Sequence, residues 1–87
     1  MYYQKTEKLL AVIDDEIKKI FLEVFPDMKE RDFNWKKKQK DFEDWDSFSH
    51  LNLITMLEDV FKIEVSDNDA ITLQSAEDIR NFIERNK

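Results

Sequence analysis

The sequence predicts an all-α fold, a small bundle of three main helices and one short one, and three observations carry that prediction. Apolar residues recur at three- and four-residue spacings along most of the chain. The punctuation between these runs consists of helix stops and helix starts: Pro26, Asp46-Ser47, Ser66-Asp67 and Ser75-Ala76-Glu77-Asp78. Among the 87 residues there is no glycine, so tight glycine-built hairpins lack the residue their backbone requires. A chain of this length forms one domain, residues 1 to 87, with one modest core.

The first helix follows from Leu9, Leu10, Ile13, Ile17, Ile20, Phe21 and Val24, which share one face at helical spacing. Pro26 cannot continue a helix and restrains Phe25 before it, which predicts a first helix over residues 5 to 24. From Pro26 to Asp46 the pattern gives way to charges with isolated rings at Phe33, Trp35, Phe42 and Trp45. This is too long for a simple turn and reads as an ordered loop pinned by its aromatics, with Lys36, Lys37, Lys38 and Lys40 solvated. Asp46-Ser47 opens a second periodic run through Phe61. The polar stretch Ser66-Asp67-Asn68-Asp69 predicts a turn or short helix, and Ser75 with Asp78 forms a capping box opening a last helix to Asn86.

Helix II separates two faces. With Leu53 at 0° on a wheel of 100° per residue, Val60, Leu57, Phe61 and Ile54 fall between roughly −20° and 100°, which predicts the core face. Phe48, Leu51 and Thr55 fall near about 220°, 160° and 200°, on the opposite side, and Glu58 and Asp59 join them. An exposed aromatic beside acids reads as a protein-docking surface; the structural alternative is that Phe48 plugs the loop onto the helix end.

Composition narrows the function classes. Without glycine there is no phosphate-cradling loop or dinucleotide fingerprint, and without cysteine no disulfide or thiolate metal site. The apolar runs are far too short for a membrane span, and carboxylates occupy the place of a signal peptide's apolar stretch, which predicts a cytoplasmic chain. Residues 1 to 40 carry ten Lys/Arg against eight Asp/Glu, whereas residues 41 to 87 carry four against twelve. The acidity of the second half disfavours nucleic acid and anionic membranes and favours partners with basic patches.

Ser47 stands at the start of helix II, as its first residue or its cap. The stretch Asp44-Trp45-Asp46-Ser47-Phe48-Ser49-His50-Leu51-Asn52-Leu53-Ile54, followed by Leu57-Glu58-Asp59-Val60-Phe61 and Ile63-Glu64-Val65, resembles the signature of acyl carrier proteins. Its elements are an Asp-Ser core opening helix II, an acidic and apolar helix closing in Phe, and a short hydrophobic-acidic link. The likeness is to discrete carriers with Trp-Asp-Ser in place of Gly-x-Asp-Ser and covers roughly Phe42 to Ile83; helix I fits by length and position alone.

The resemblance implies a four-helix bundle of the acyl-carrier type, without catalytic activity of its own. It implies that Ser47 receives a 4′-phosphopantetheine arm from coenzyme A through a phosphodiester, with acyl groups riding on the terminal thiol. The missing cysteine then fits, because the reactive sulfur comes with the cofactor. Asp46 belongs to the motif read by the phosphopantetheinyl transferase. Phe48, Leu51, Asn52, Thr55, Glu58 and Asp59 match positions that meet the basic surfaces of a loading ligase or synthase and of acyl-accepting enzymes. The implied protein is a monomeric acyl carrier of fatty-acid or polyketide assembly. Phe48 replaces the usual Leu, as in D-alanyl carriers, so an aminoacyl or peptidyl carrier is the alternative within the class. Asn52 and Thr55 stand where fatty-acid carriers often have Glu and Met, and the lysine-rich loop is unusual for so acidic a family. The alternative outside the class is an unmodified helical adaptor that binds through the Phe48 face while Ser47 only caps.

An enzyme reading would use Ser47 and His50, three residues apart, with Asp44 and Asp46 nearby. It lacks an evident oxyanion hole and sheltered cleft, and His50 falls near about 60° on the wheel, which predicts a packed histidine. Asp41, Glu43, Asp44 and Asp46 are dense carboxylates, yet a calcium loop needs a glycine at its turn. Solvation and attraction of basic partners is the reading they support.

Overall fold

A computed structural model describes the backbone of residues 2–86 and the side chains of residues 12–86. Leu9 and Leu10, two of the predicted first-helix core positions, have side chains outside the described residues. The described chain is all-helical: α1 (Tyr2–Val24), α2 (Ser47–Phe61), α3 (Asp67–Thr72) and α4 (Ala76–Arg85), with two short 3-10 turns, Glu30–Asp32 and Gln39–Asp41, between α1 and α2.

The helix boundaries follow local chemistry. α1 ends at Val24, before Phe25-Pro26, as the proline requires, but begins three residues earlier than the periodicity predicts. No breaker precedes Lys5 to stop it. Ser66 caps α3 by accepting from the Asp69 N–H at 3.1 Å, and Ser75 caps α4 by accepting from the Asp78 N–H at 3.1 Å. The predicted capping box at α4 is altered in one respect. The Asp78 carboxylate accepts from the N–H of Gln74 (3.2 Å), one residue before the cap, because the chain enters the helix already turned by the preceding bend. α2 ends on Lys62, a non-glycine residue in the left-handed region with φ 56° and ψ 46°, a consequence of ending a helix with no glycine available.

α1 packs against α2 and α4, and the core lies between them. Ile13, Ile17, Ile20 and Phe21 of α1 meet Leu53, Ile54 and Leu57 of α2 and Ile79, Phe82 and Ile83 of α4. These are the positions that the helical spacings put on common faces. Val60 is the exception: predicted for the core, it is 39% exposed. It lies at the edge of the apolar arc, beside an open groove lined by Ile20, Leu22 and Met56, where α1 does not cover the last turn of α2. Phe61 is half-buried and packs against the core margin.

The connection between α1 and α2 is an ordered cover, as its rings predict. Trp45 is buried, with its ring edge-on to Phe21 at 5.4 Å between centroids, and Phe42 lies 5.0 Å from Phe25. Such pairs contribute roughly 0.5–1.5 kcal/mol each beyond their buried area. The middle of the loop is held from α4: the Trp35 carbonyl accepts from the Glu77 N–H at 2.9 Å, satisfying an amide of the first helical turn. The Arg80 guanidinium stacks over the Trp35 ring at 4.9 Å while pairing with Asp14 of α1 at 3.2 Å. Among the described residues no helix is long and apolar enough to cross a membrane.

Candidate functional site

The start of α2 is where chemistry concentrates. Asp46 is the N-cap: its backbone is extended, with φ −88° and ψ −176°, and its carboxylate accepts from the Ser49 N–H at 2.8 Å. Hydrogen bonds from Ser49, through its backbone and then its side chain, hold the Asp46 carboxyl below its ordinary pKa. Ser47 is therefore the first residue of the helix and not its cap, which removes the structural role that an Asp-Ser helix start leaves open in the sequence. Its hydroxyl is exposed and forms no hydrogen bond among the described residues.

Burial of Trp45 fixes this arrangement. The Trp45 N–H bonds back to Phe42 at 3.0 Å, the indole enters the core, and the chain leaves it extended at Asp46, so the carboxylate of that residue meets the first turn. His50 locks the junction from the other side. Trp45 Nε1, a donor only, donates to His50 Nδ1 at 2.9 Å, so the imidazole carries its proton on Nε2 and donates to the Ala70 carbonyl at 2.8 Å. The packed histidine predicted from the wheel is found. Both ring nitrogens are engaged away from Ser47, and no Ser47–His50 hydrogen bond forms.

The outward face of α2 is arranged as the wheel predicts. Phe48 is 74% exposed and Leu51 63% exposed, with Asn52, Thr55 and Asp59 also exposed. Phe48 does not plug the loop; Trp45 and Phe42 do that. The Thr55 hydroxyl donates to the Leu51 carbonyl at 2.9 Å within the helix. Of the two carboxylates at the end of this strip, Asp59 lies within 3.8 Å of the exposed Lys62 ammonium. Glu58 is half-buried and accepts from the Val65 N–H at 3.0 Å, so it anchors the link to α3 as well as contributing charge.

Three features of the site lie outside the sequence reading. Ile71 of α3 is 68% exposed and follows the Ala70 carbonyl that His50 holds beside α2. An apolar residue in a polar six-residue helix is the one local sign of it. Gln39 and Gln74, 35 positions apart, are joined by the Gln39 N–H donating to the Gln74 carbonyl at 2.7 Å. With Lys40, Trp45, Asp46 and Ser47 they line a shallow groove beside the serine. No periodicity encodes that pairing, because it arises from the path of the loop across the bundle end.

The site thus presents an accessible hydroxyl on the first turn of a fifteen-residue helix, a capping carboxylate that frees it, and an apolar strip leading from it to an acidic helix end. No protein-family model matches the chain, and a search of curated proteins finds no significant match.

Proposed function

We propose that the protein is a carrier of the acyl-carrier type, in which Ser47 receives a 4′-phosphopantetheine arm and the exposed face of α2 meets the enzymes that load and unload it. The observation that carries this reading is the position of Ser47: exposed, without a hydrogen-bond partner among the described residues, and relieved of capping by Asp46. The resemblance of residues 42 to 83 to carrier proteins supports it, as does the helix order, with a long loop before the serine-bearing helix and one short helix after it.

The residues present fit the group. Ser47 Oγ supplies the acceptor: a new O–P bond forms, the phosphoric anhydride of coenzyme A breaks to release its adenosine-bearing half, and the serine proton passes to a base on the transferase. The first turn of α2 favours an anion there by about 0.3–1 kcal/mol. Asp46 holds the serine backbone in place through the cap. Phe48, Leu51, Asn52 and Thr55 offer an apolar and polar strip to a partner, and Glu58 and Asp59 attract a basic one. Once attached, the arm supplies a thiol for thioester formation, which this cysteine-free chain lacks.

Incubation of the full chain with coenzyme A, magnesium and a broad-specificity phosphopantetheinyl transferase tests the proposal. One arm is expected by mass on the native chain and none on Ser47→Ala. Modification that persists in Ser47→Ala, or never occurs, overturns it. The exposure of Phe48 and Leu51 equally favours an unmodified adaptor binding through the same strip, and that reading gains in the second case. Aminoacyl in place of acyl cargo remains the alternative within the carrier class.

A further inference from the structure

The lysine-rich segment before α2 has no part in arm attachment or in the exposed strip of α2, yet one of its members borders the serine. Lys40 lines the groove that also holds Gln39, Trp45, Asp46, Ser47 and Gln74. Four ion pairs form among the described residues, and Lys40 is in none of them. The Asp46 carboxylate in the same groove accepts from the Ser49 amide, whereas the Lys40 ammonium has neither an ion pair nor a hydrogen bond among the described residues.

The two glutamines define what else the groove offers. Gln39 donates its side-chain N–H to the Trp45 carbonyl at 3.2 Å, and Gln74 donates its own to the Ile71 carbonyl at 3.3 Å. Because both partners are carbonyl oxygens, the amide nitrogens are the atoms facing them, and each side-chain oxygen is left as an acceptor. The two walls are fixed to each other by the Gln39 N–H bond to the Gln74 carbonyl. The groove that Ser47 helps to line therefore carries the Lys40 cation and two acceptors on a held frame, with the Asp46 carboxylate engaged by the first turn of α2. Its complement is an anion followed by amide donors, which is the chemical order of a phosphodiester and a pantetheine chain.

We propose, resting on the carrier reading, that the arm attached at Ser47 lies in this groove between the second 3-10 turn and the α3–α4 link. Lys40 pairs with its phosphodiester, and Gln39 and Gln74 accept from its amides. The strip of Phe48, Leu51 and Thr55 then stays clear for enzymes while the arm is parked on the loop side of α2.

The test uses the full chain, labelled with ¹³C and ¹⁵N and carrying an unlabelled arm, whose attachment is first confirmed by mass. Isotope-filtered NOE spectra are expected to show cross-peaks from the arm's geminal methyl protons to Gln39, Lys40 and Gln74. Modified Lys40→Glu is expected to lose several-fold of that intensity with its amide spectrum otherwise folded. Cross-peaks to Thr55 and Glu58 instead, or none to the protein, overturn the groove while leaving the carrier reading intact. Intensity unchanged in Lys40→Glu removes the lysine from the site. A chain that gains no mass overturns the carrier reading, and the groove proposal with it.

Discussion

Trp45 and His50 are joined by a hydrogen bond of 2.9 Å from the indole N–H to the imidazole, with ring centroids 5.8 Å apart. This contact ties the end of the loop to the first turns of α2, and through Nε2 to α3. Three segments that are separate in sequence therefore meet on one side chain beside Ser47. Replacing His50 with Ala strands the Trp45 donor and the Ala70 acceptor, both part-buried, at an expected cost of roughly 1–3 kcal/mol. Urea unfolding measures that cost, and amide exchange is expected to accelerate first in α3. An unchanged midpoint would show that water replaces the imidazole without loss.

Core and outward face differ sharply within α2. Leu57 is 1% exposed, so Leu57→Ala is expected to lose roughly 2–5 kcal/mol, a large share of a small domain's stability. Phe48→Ala is expected to stay within about 0.5 kcal/mol of the native chain yet slow arm transfer or acyl loading. Thermal or urea unfolding of both variants, paired with the transferase assay, checks the contrast. Equal destabilisation would assign Phe48 to packing.

The acidic end of α2 is best probed at one position. Glu58 anchors Val65, so its reversal to Lys disturbs structure and charge together. Asp59 is exposed and its pairing with Lys62 is of the surface kind, which contributes roughly 0.2–1 kcal/mol at most. Asp59→Lys is expected to slow modification several-fold with little change in melting temperature, and the native rate is expected to fall as salt rises. Kinetics insensitive to both changes would exclude this end from the interface.

Asp46 gives the helix start a pH dependence of known sign. Its carboxyl pKa is lowered by the Ser49 hydrogen bonds, so its contribution to stability is complete above the unfolded-state carboxylate value and is lost as pH falls through the lower folded value. Asp46→Asn keeps a capping oxygen and is expected to flatten this part of the acid profile, whereas Asp46→Ala is expected to lower the melting temperature by a few degrees at neutral pH. Melting curves across the acid range distinguish the two. An Ala variant as stable as the native chain would show that Ser47 takes over the cap.

Lys62 offers the converse case, a position where substitution is expected to stabilise. Its left-handed backbone carries a cost of roughly 1–2 kcal/mol that glycine avoids. Lys62→Gly is expected to raise stability by about 0.5–1 kcal/mol after loss of the pairing with Asp59. A lower unfolding midpoint would mean that unfolded-chain entropy or that ion pair outweighs the strain.

The sequence by itself determined the helices and their faces, because both are written at short range. Three- and four-residue spacings put Ile13, Ile17 and Ile20 on one side of α1 and separate Leu53 and Leu57 from Phe48 and Leu51 on α2. Pro26, Ser66 and Ser75 mark boundaries by stopping a helix or capping its first amides within three residues. The rings of the loop announced that it would be pinned, though its two 3-10 turns left no periodic trace. Only the tertiary structure decided which of Asp46 and Ser47 caps α2, since that depends on the direction in which the chain leaves the buried Trp45. It also decided that Val60 faces an open groove, because the width of a buried arc is set by how far α1 reaches along α2. The pairing of Gln39 with Gln74 belongs to the same class. It is made by two segments whose proximity comes from packing Trp35 and Trp45 against the bundle, and a side chain's neighbours at that separation are a property of the assembled core.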